Sequence, residues 1–276
     1  MQSGNDMKLP YLIYKRIRVG LGLTFGFILM YGALTSNINP SLISIGIGFF
    51  MIHLFGDVYN DYCDYHEDLR NGRYDKLTVS KKLTPIRMRD LSFALLAIGL
   101  LILSAFDLVL FVAGLYYGAL LFAYSNHSIR LKRYHIKSYL LAATTVWPVI
   151  VFSLNYFFAE SLTLLNALFV VFCMSQYLYI GCQKDSTDRK DDTNLFLANR
   201  WKAAWAACAV SSAIALISLA GISLSPALLA LWVANAGVKV LNVTKIYTRS
   251  ITRTVRSRLI LLEFLTPYAY SIGVML

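Results

Sequence analysis

Between Asn60 and Asp68 the chain sets an amide and four carboxylates in the string NDYCDYHED, directly after the apolar run PSLISIGIGFFMIHLFG. A second acidic string, KDSTDRKDD, runs from Lys184 to Asp192 after another apolar run. Asp61, Asp64 and Asp68 recur 124 residues later as Asp185, Asp188 and Asp192, each set in the pattern DxxDxxxD. At about 100° per residue, Asn60, Asp61, Asp64 and Asp68 share a helical arc of about 100°, and the second triplet shares about 60°. Glu67, Asp57 and Asp191 are placed off those faces. Aligned carboxylates repel one another, and at a membrane boundary they are poorly hydrated, so they need a partner.

Two kinds of partner are available. Ion pairs with Lys or Arg at helix ends would make the clusters structural. Two matched triplets fit hard divalent cations better: Mg²⁺ takes few carboxylates, keeps several waters and draws its remaining oxygens from a substrate phosphate. Carboxylates at one-turn spacing on two facing helices would hold such ions between them. Calcium storage fits worse, since no calcium-loop pattern with its glycine is present. Cations able to meet phosphate flank the acids in RNGRYDKLTVSKK, after the first cluster, and in YSNHSIRLKRYHIK. The residues thus point to Mg²⁺-dependent handling of a phosphorylated compound whose remainder, given apolar walls, is a lipid.

The elements that must position these groups are membrane helices. Hydrophobic residues make up 57% of the 276, against 15% charged; a soluble domain carries about 25% charged. Nine apolar stretches approach the roughly 20 residues a spanning helix needs: 16–35, 40–58, 88–106, 108–125, 138–157, 161–182, 203–221, 225–243 and 257–275. Connections after the odd-numbered stretches are short, and those after the even-numbered ones are longer and polar. All 26 Lys and Arg then fall on one side, and only Asp107 and Glu160 are charged on the other. The excess of basic residues places the N-terminus and long loops in the cytoplasm and the C-terminus outside, in a cell inner or plasma membrane. The net charge of +11 therefore reads as orientation, and nucleic acid is not expected as a partner. A leader peptide at the first stretch is not expected either, because the apolar pattern continues through the chain. The expected architecture is all-α, one domain over 1–276, with two four-helix units and a ninth helix around a central cavity. Cys63, Cys173, Cys182 and Cys208 show no paired spacing and are expected as free thiols. His53, Asn155, Asn235 and Glu263 interrupt apolar stretches, and such residues are candidates for function or for buried pairing, as of Glu263 with Lys239.

At the acidic strings the sequence resembles the UbiA superfamily of intramembrane prenyltransferases. The first family signature stands as Asn60-Asp61-x-x-Asp64-x-x-x-Asp68, and the second as Lys184-Asp185-x-x-Asp188-x-x-x-Asp192. Fainter echoes are Arg18 ahead of Gly32-Ala33, Lys76 ahead of Ser80, and Tyr124-Ser125 followed by Leu131-Lys132. Departures are Lys81 where a glycine often stands, Val19 in place of a proline, and Ile180, with Tyr179 beside it, where some members have tyrosine. The resemblance implies that the seven signature residues Asn60, Asp61, Asp64, Asp68, Asp185, Asp188 and Asp192 bind Mg²⁺. It implies that Arg18, Lys76, Tyr124, Arg130, Lys132 and Lys184 serve the diphosphate of a prenyl diphosphate. His53, Asn155, Tyr179 and Glu263 are the further pocket or catalytic candidates. The implied reaction is transfer of the prenyl group to a small acceptor, often an electron-rich aromatic ring, under a loop such as RNGRYDKLTVSKK that excludes water.

A terpene cyclase of the same superfamily would use the same metal clusters with no acceptor, and no sequence feature separates the two. A transporter or cation channel would need polar residues through the outer half of the bilayer, and that half is almost free of charge.

Overall fold

In hydrocarbon a backbone satisfies its polar groups within a helix or a closed barrel. In the computed structural model every regular element among the described residues is helical. The described residues are 17–70, 76, 78–79, 83–134, 136–188, 199–223, 230, 233–241, 262–263 and 265–272, with side chains at 136, 137, 139, 180–205, 216 and 220–223 outside that set. Helix α1 runs over Ile17–Leu34, interrupted by a π-helical turn at Leu21–Phe25. There follow α2 (Pro40–Cys63), α3 (Tyr65–Arg70), α4 (Pro85–Ser104), α5 (Leu108–Ser125), a 3-10 turn (Leu131–Tyr134), α6 (Ile136–Phe157), α7 (Leu164–Asp188) and α8 (Asn199–Ser223). Residues 233–241 (α9) and 265–272 (α10) are also helical.

Among the described residues, four helices are long and apolar enough to cross a membrane: Ile17–Leu34, Pro40–Cys63, Leu108–Ser125 and Leu140–Phe157. Shorter apolar helical stretches occupy Leu164–Tyr179 and Ala206–Leu219. Helix α4 begins earlier than its apolar stretch because Thr84 caps it, accepting a bond from Arg87 N at 3.3 Å, with Pro85 in the first turn. That start brings Pro85, Ile86 and Arg87 into the helix. Helices α9 and α10 fall inside the eighth and ninth expected stretches, most of whose other residues lie outside the described set.

Two of the short connections share one construction. Ser36 and Ala159 both have positive φ, 58° and 53°. In each case the next amide bonds back five residues, Asn37 N to Gly32 O and Glu160 N to Asn155 O, both at 2.8 Å. This six-to-one closure satisfies carbonyls left open at a helix end. The two helix stops lie 123 residues apart, close to the offset of the acidic triplets. Asp107 caps α5 through Val109 N at 2.6 Å, and Glu160 accepts from Asn37 Nδ2 at 2.7 Å. The two acids on the sparsely charged side thus serve helix ends.

The helices group into two compact units: Met1–Phe25 with Pro40–Arg133, and Gly26–Asn39 with Tyr134–Leu276. In the first, α2 packs against α4, α5 and the π turn. Phe55, Tyr59 and Cys63 of α2 form a buried cluster with Leu95, Leu96, Leu121 and Phe122. In the second, α7 packs against α6, α8 and the later part of α1. Cys63, Cys173 and Cys208 are free.

The α2–α4 approach depends on glycine. A Cβ on Gly99 would lie 2.7 Å from the carbonyl oxygen of Gly48 and 2.7 Å from Ile52 Cγ1. The backbone oxygen cannot turn aside, so the helices would have to separate. Small residues at such contacts let membrane helices pack without a hydrophobic driving force between them. We expect Gly99→Ala to destabilise the protein by about 1–3 kcal/mol, the usual cost of overpacking, read as a lowered Tm in detergent. Gly237→Ala, where an added Cβ meets nothing within 4 Å, is expected to leave Tm unchanged.

Candidate active site

Helix α2 carries its apolar face inward to Cys63 and brings the first signature to its end. The expected single helical face over Asn60–Asp68 needs correction. Asp64 sits in a turn that divides α2 from α3. The ladder persists through this break, with Asp64 N bonded to Asn60 O at 2.9 Å and Asp68 N to Asp64 O at 2.8 Å. Asp57 also needs correction: three residues before Asn60, it lies at about 60° on the helical wheel, within the acidic arc.

Two lysines sort the signature into pairs. Lys76 Nζ donates to Asp61 Oδ1 at 2.6 Å and lies 3.6 Å from Asp68 Oδ2. Asp61 has no exposed surface, and Asp68 and Lys76 are buried. Lys132 Nζ donates to Asp64 Oδ1 and, at 3.3 Å, to Asn60 Oδ1. Ser125 Oγ, at the end of α5, donates to Asn60 Oδ1 at 3.1 Å. The chain then turns through Asn126, whose Oδ1 accepts from Ser128 N at 3.0 Å and whose carbonyl accepts from Arg130 N at 2.7 Å. Arg130 has φ 44°, a conformation uncommon for a residue with a side chain. From there its guanidinium bonds Glu67 at 2.6 Å and lies 4.0 Å from Asp64.

Taken together, this is a group of hard oxygen donors, buried at Asp61 and Asp68 and partly exposed at Asn60 and Asp64, with three cations among them. Asn60, Asp61, Asp64 and Asp68 suit Mg²⁺ by donor type. Their charge is met by ammonium groups on flexible stems that can turn from carboxylate to phosphate. Among the described residues, no three His, Cys, Asp or Glu side chains already converge as a metal site. Arg18 lies at the start of α1 with a buried Nε that makes no hydrogen bond among the described residues. Tyr124 is half-buried on α5. Lys184, Asp185 and Asp188 occupy the last turns of α7, with side chains outside the described residues, and Asp192 lies outside them altogether. Of the loop RNGRYDKLTVSKK only Arg70, Lys76, Thr78 and Val79 are described.

The remaining candidates are held in polar contacts. Asn155 Oδ1 accepts from Tyr31 OH at 2.8 Å and Asn166 Nδ2 at 3.2 Å. Glu263 is the centre of a buried knot. Its Oε2 accepts from Lys239 Nζ at 2.6 Å, Gln176 Nε2 at 2.9 Å and Asn235 Nδ2 at 3.1 Å. Ser212 donates to Gln176 at 2.6 Å, Asn235 Nδ2 lies 2.6 Å from Thr266 Oγ1, and Lys239 sits 5.6 Å over the Tyr179 ring. The knot ties α7, α8, α9 and α10. Sequence reasoning named Asn235, Lys239 and Glu263 but missed Gln176, Ser212 and Thr266. The available signal was helical spacing, Asn235 to Lys239 at i,i+4 and Glu263 to Thr266 at i,i+3.

His53 is buried on α2. Its Nδ1 lies 2.8 Å from Thr24 Oγ1 and 2.7 Å from Tyr117 OH, and its Nε2 lies 3.8 Å from Asp57 Oδ2. Thr24 and Tyr117 were not singled out by sequence, because single hydroxyls in a tyrosine-rich apolar chain carry no signal.

Comparison with known proteins agrees with this architecture. A UbiA homologue from Aeropyrum pernix K1, solved without ligand, superposes with a TM-score of 0.70 at 14% identity over 98% of each chain. One from Archaeoglobus fulgidus, bound to GPP and Mg²⁺, gives 0.64 at 14% identity over 96% of this chain and 99% of that one. A digeranylgeranylglyceryl phosphate synthase gives 0.62 at 13% identity over 98% and 99%. No curated protein sequence matches. The family profile described as the UbiA prenyltransferase family matches residues 21–260, and the chain belongs to that family.

Proposed function

We propose that the protein is a Mg²⁺-dependent intramembrane prenyltransferase. It takes a prenyl diphosphate and passes the prenyl group to a small acceptor. The observation that carries this reading is the pairing of the NDxxDxxxD acids by Lys76 and Lys132 at the end of an apolar helix. The family supports it, as does the related Archaeoglobus structure with GPP and Mg²⁺. An aromatic acceptor suits a cation produced next to electron-rich rings. A lipid acceptor is the alternative that the related digeranylgeranylglyceryl phosphate synthase recommends. The four spanning-length helices among the described residues support a reaction within a lipid bilayer, and the distribution of lysine and arginine supports a cytoplasmic position for the signature.

Asn60, Asp61, Asp64 and Asp68 would hold the metal, with Asp185, Asp188 and Asp192 as the second set. Held there, Mg²⁺ would supply the charge that neutralises the diphosphate and makes it a better leaving group. The chain's own cations do the rest at the head. Lys76 and Lys132, freed from the carboxylates, and Arg130 meet the negative charge that grows on the departing diphosphate. Arg18 and Lys184 are proposed for the same role. Tyr124 is proposed at the diphosphate beside Ser125. The apolar interior excludes the water that would quench an allylic cation.

The test is diphosphate release by purified protein with a prenyl diphosphate and Mg²⁺, with and without acceptors. Turnover that begins only when an acceptor is added supports transfer; a hydrocarbon formed without acceptor supports the cyclase reading. Asp64→Asn and Asp188→Asn are each expected to cut release at least 100-fold; unchanged release in both would overturn either enzymatic reading. Chelation should stop turnover and added Mg²⁺ restore it. Lys132→Gln is expected to lower kcat by about 10²–10³, the range seen when one preorganised charge stabiliser is removed. Lys76→Met should in addition lower Tm, because losing one partner of a buried pair costs about 3–5 kcal/mol.

A further inference from the structure

Asp57, His53 and Tyr117 form a polar line that the metal and diphosphate roles leave unused. His53 stands seven residues before Asn60. That spacing puts it about 10 Å further along α2, on the same side within about 20°. Asp57 lies between them on the same stripe. The line therefore starts at the acidic signature and leads into the apolar interior, where a prenyl chain and its reaction partner would lie.

Packing alone does not account for these groups. An imidazole with 7% exposure in an apolar core costs desolvation that a leucine would not. The neighbouring helix is deformed to meet it. The π turn Leu21–Phe25 presents Thr24 to the ring, and α1 comes so close that a Cβ on Gly20 would lie 2.9 Å from His53 Cδ2. Single π turns inside α-helices recur at functional sites. The ring also has different partners on its two nitrogens. Its Nε2 faces the Asp57 carboxylate, while its Nδ1 faces two hydroxyls, Thr24 and Tyr117. A proton on Nε2, assigned from this network, leaves the Nδ1 lone pair facing Tyr117. A carboxylate behind an imidazole and a hydroxyl in front of it is the arrangement that prepares a hydroxyl to move a proton.

We propose that Tyr117, backed by His53 and Asp57, removes the proton that the acceptor loses on prenylation. This rests on the prenyl-transfer reading above. The C–O bond breaks and the diphosphate leaves with its electron pair. The acceptor's nucleophilic atom gives an electron pair to C1 of the prenyl cation, forming the new bond. The acceptor's proton passes to the Tyr117 oxygen as the Tyr117 hydroxyl proton passes to His53 Nδ1. The resulting imidazolium faces Asp57, which sets it on the stripe toward the cytoplasmic end of α2. Tyr117 is the catalytic group, and His53 and Asp57 position and charge it. A proton acceptor within the dry interior removes the need for water, which would compete for the cation.

The experiment compares Tyr117→Phe and His53→Gln with the unaltered protein, using GPP, Mg²⁺ and whichever phenolic acceptor turns over, plain and deuterated at the attacked carbon. Both variants are expected to lose about 100-fold in kcat, the lower end for a general base. The KM for GPP should stay the same, and an isotope effect absent from the unaltered protein should appear. Imidazole added to His53→Gly should restore part of the rate. Unchanged kcat, a lowered kcat with no isotope effect, or losses that match a fall in folded protein in both variants would overturn the proposal. If the unaltered protein released no diphosphate with any acceptor, prenyl transfer itself would fail. Release by the unaltered protein with normal Tyr117→Phe and His53→Gln kinetics would sink this inference alone.

Discussion

Carboxylates at the end of an apolar helix cannot stay unpaired. Out of water an isolated ionised group is too costly to keep, so it is neutralised or matched. Here matching is local and specific: Lys76 spans Asp61 and Asp68, while Lys132 spans Asn60 and Asp64. Each ammonium supplies the positive charge that these carboxylates would otherwise draw from a bound cation. On the proposed function, the stability of the unliganded protein and its binding of an anionic substrate would draw on the same charges. Buried ion pairs are poor investments for stability taken alone, which makes a functional reason for this pair of brackets the more economical one.

Everything around α2 serves to hold that end in place. Glycines at 48 and 99 let α4 approach at backbone distance. The stacked rings of Phe55, Tyr59 and Phe122 fill the space toward α5, with centroids 5.5 and 5.2 Å apart along the series. Asn126 Nδ2 donates to Tyr59 OH at 3.1 Å, fastening the turn that returns Lys132 to the signature. The apolar part of the helix is therefore a rigid stalk, and its polar tip gains precision from contacts one and two turns below.

The sequence made some of this legible and hid the rest for physical reasons. Spanning helices announce themselves through sustained apolar runs, and the expected stretch 108–125 coincides with α5. Helix ends were less visible. Thr84 and Pro85 extend α4 to take in Ile86 and Arg87, which hydropathy assigns to a loop. The break at Asp64 has no glycine or proline to mark it. The signature acids stood out through a repeated spacing of charges, which is rare in apolar chains. Their partners did not: Lys76 is one of several lysines in a basic loop, and only the fold selects it. Thr24 depends on a π turn that shifts helical register, so a regular 100° wheel places it wrongly. Glu263 and Lys239 could be paired beforehand because two opposite charges in apolar stretches have few other options.

That last pair bears on how the chain is made. On insertion scales a lysine or an acidic residue at the centre of a lone helix is unfavourable by about 2.5–3.5 kcal/mol. Lys239 and Glu263 are joined at 2.6 Å and shared among Gln176, Asn235 and Tyr179. Their helices therefore enter the bilayer more cheaply as a hairpin, or after α7 is present to receive them, than one at a time.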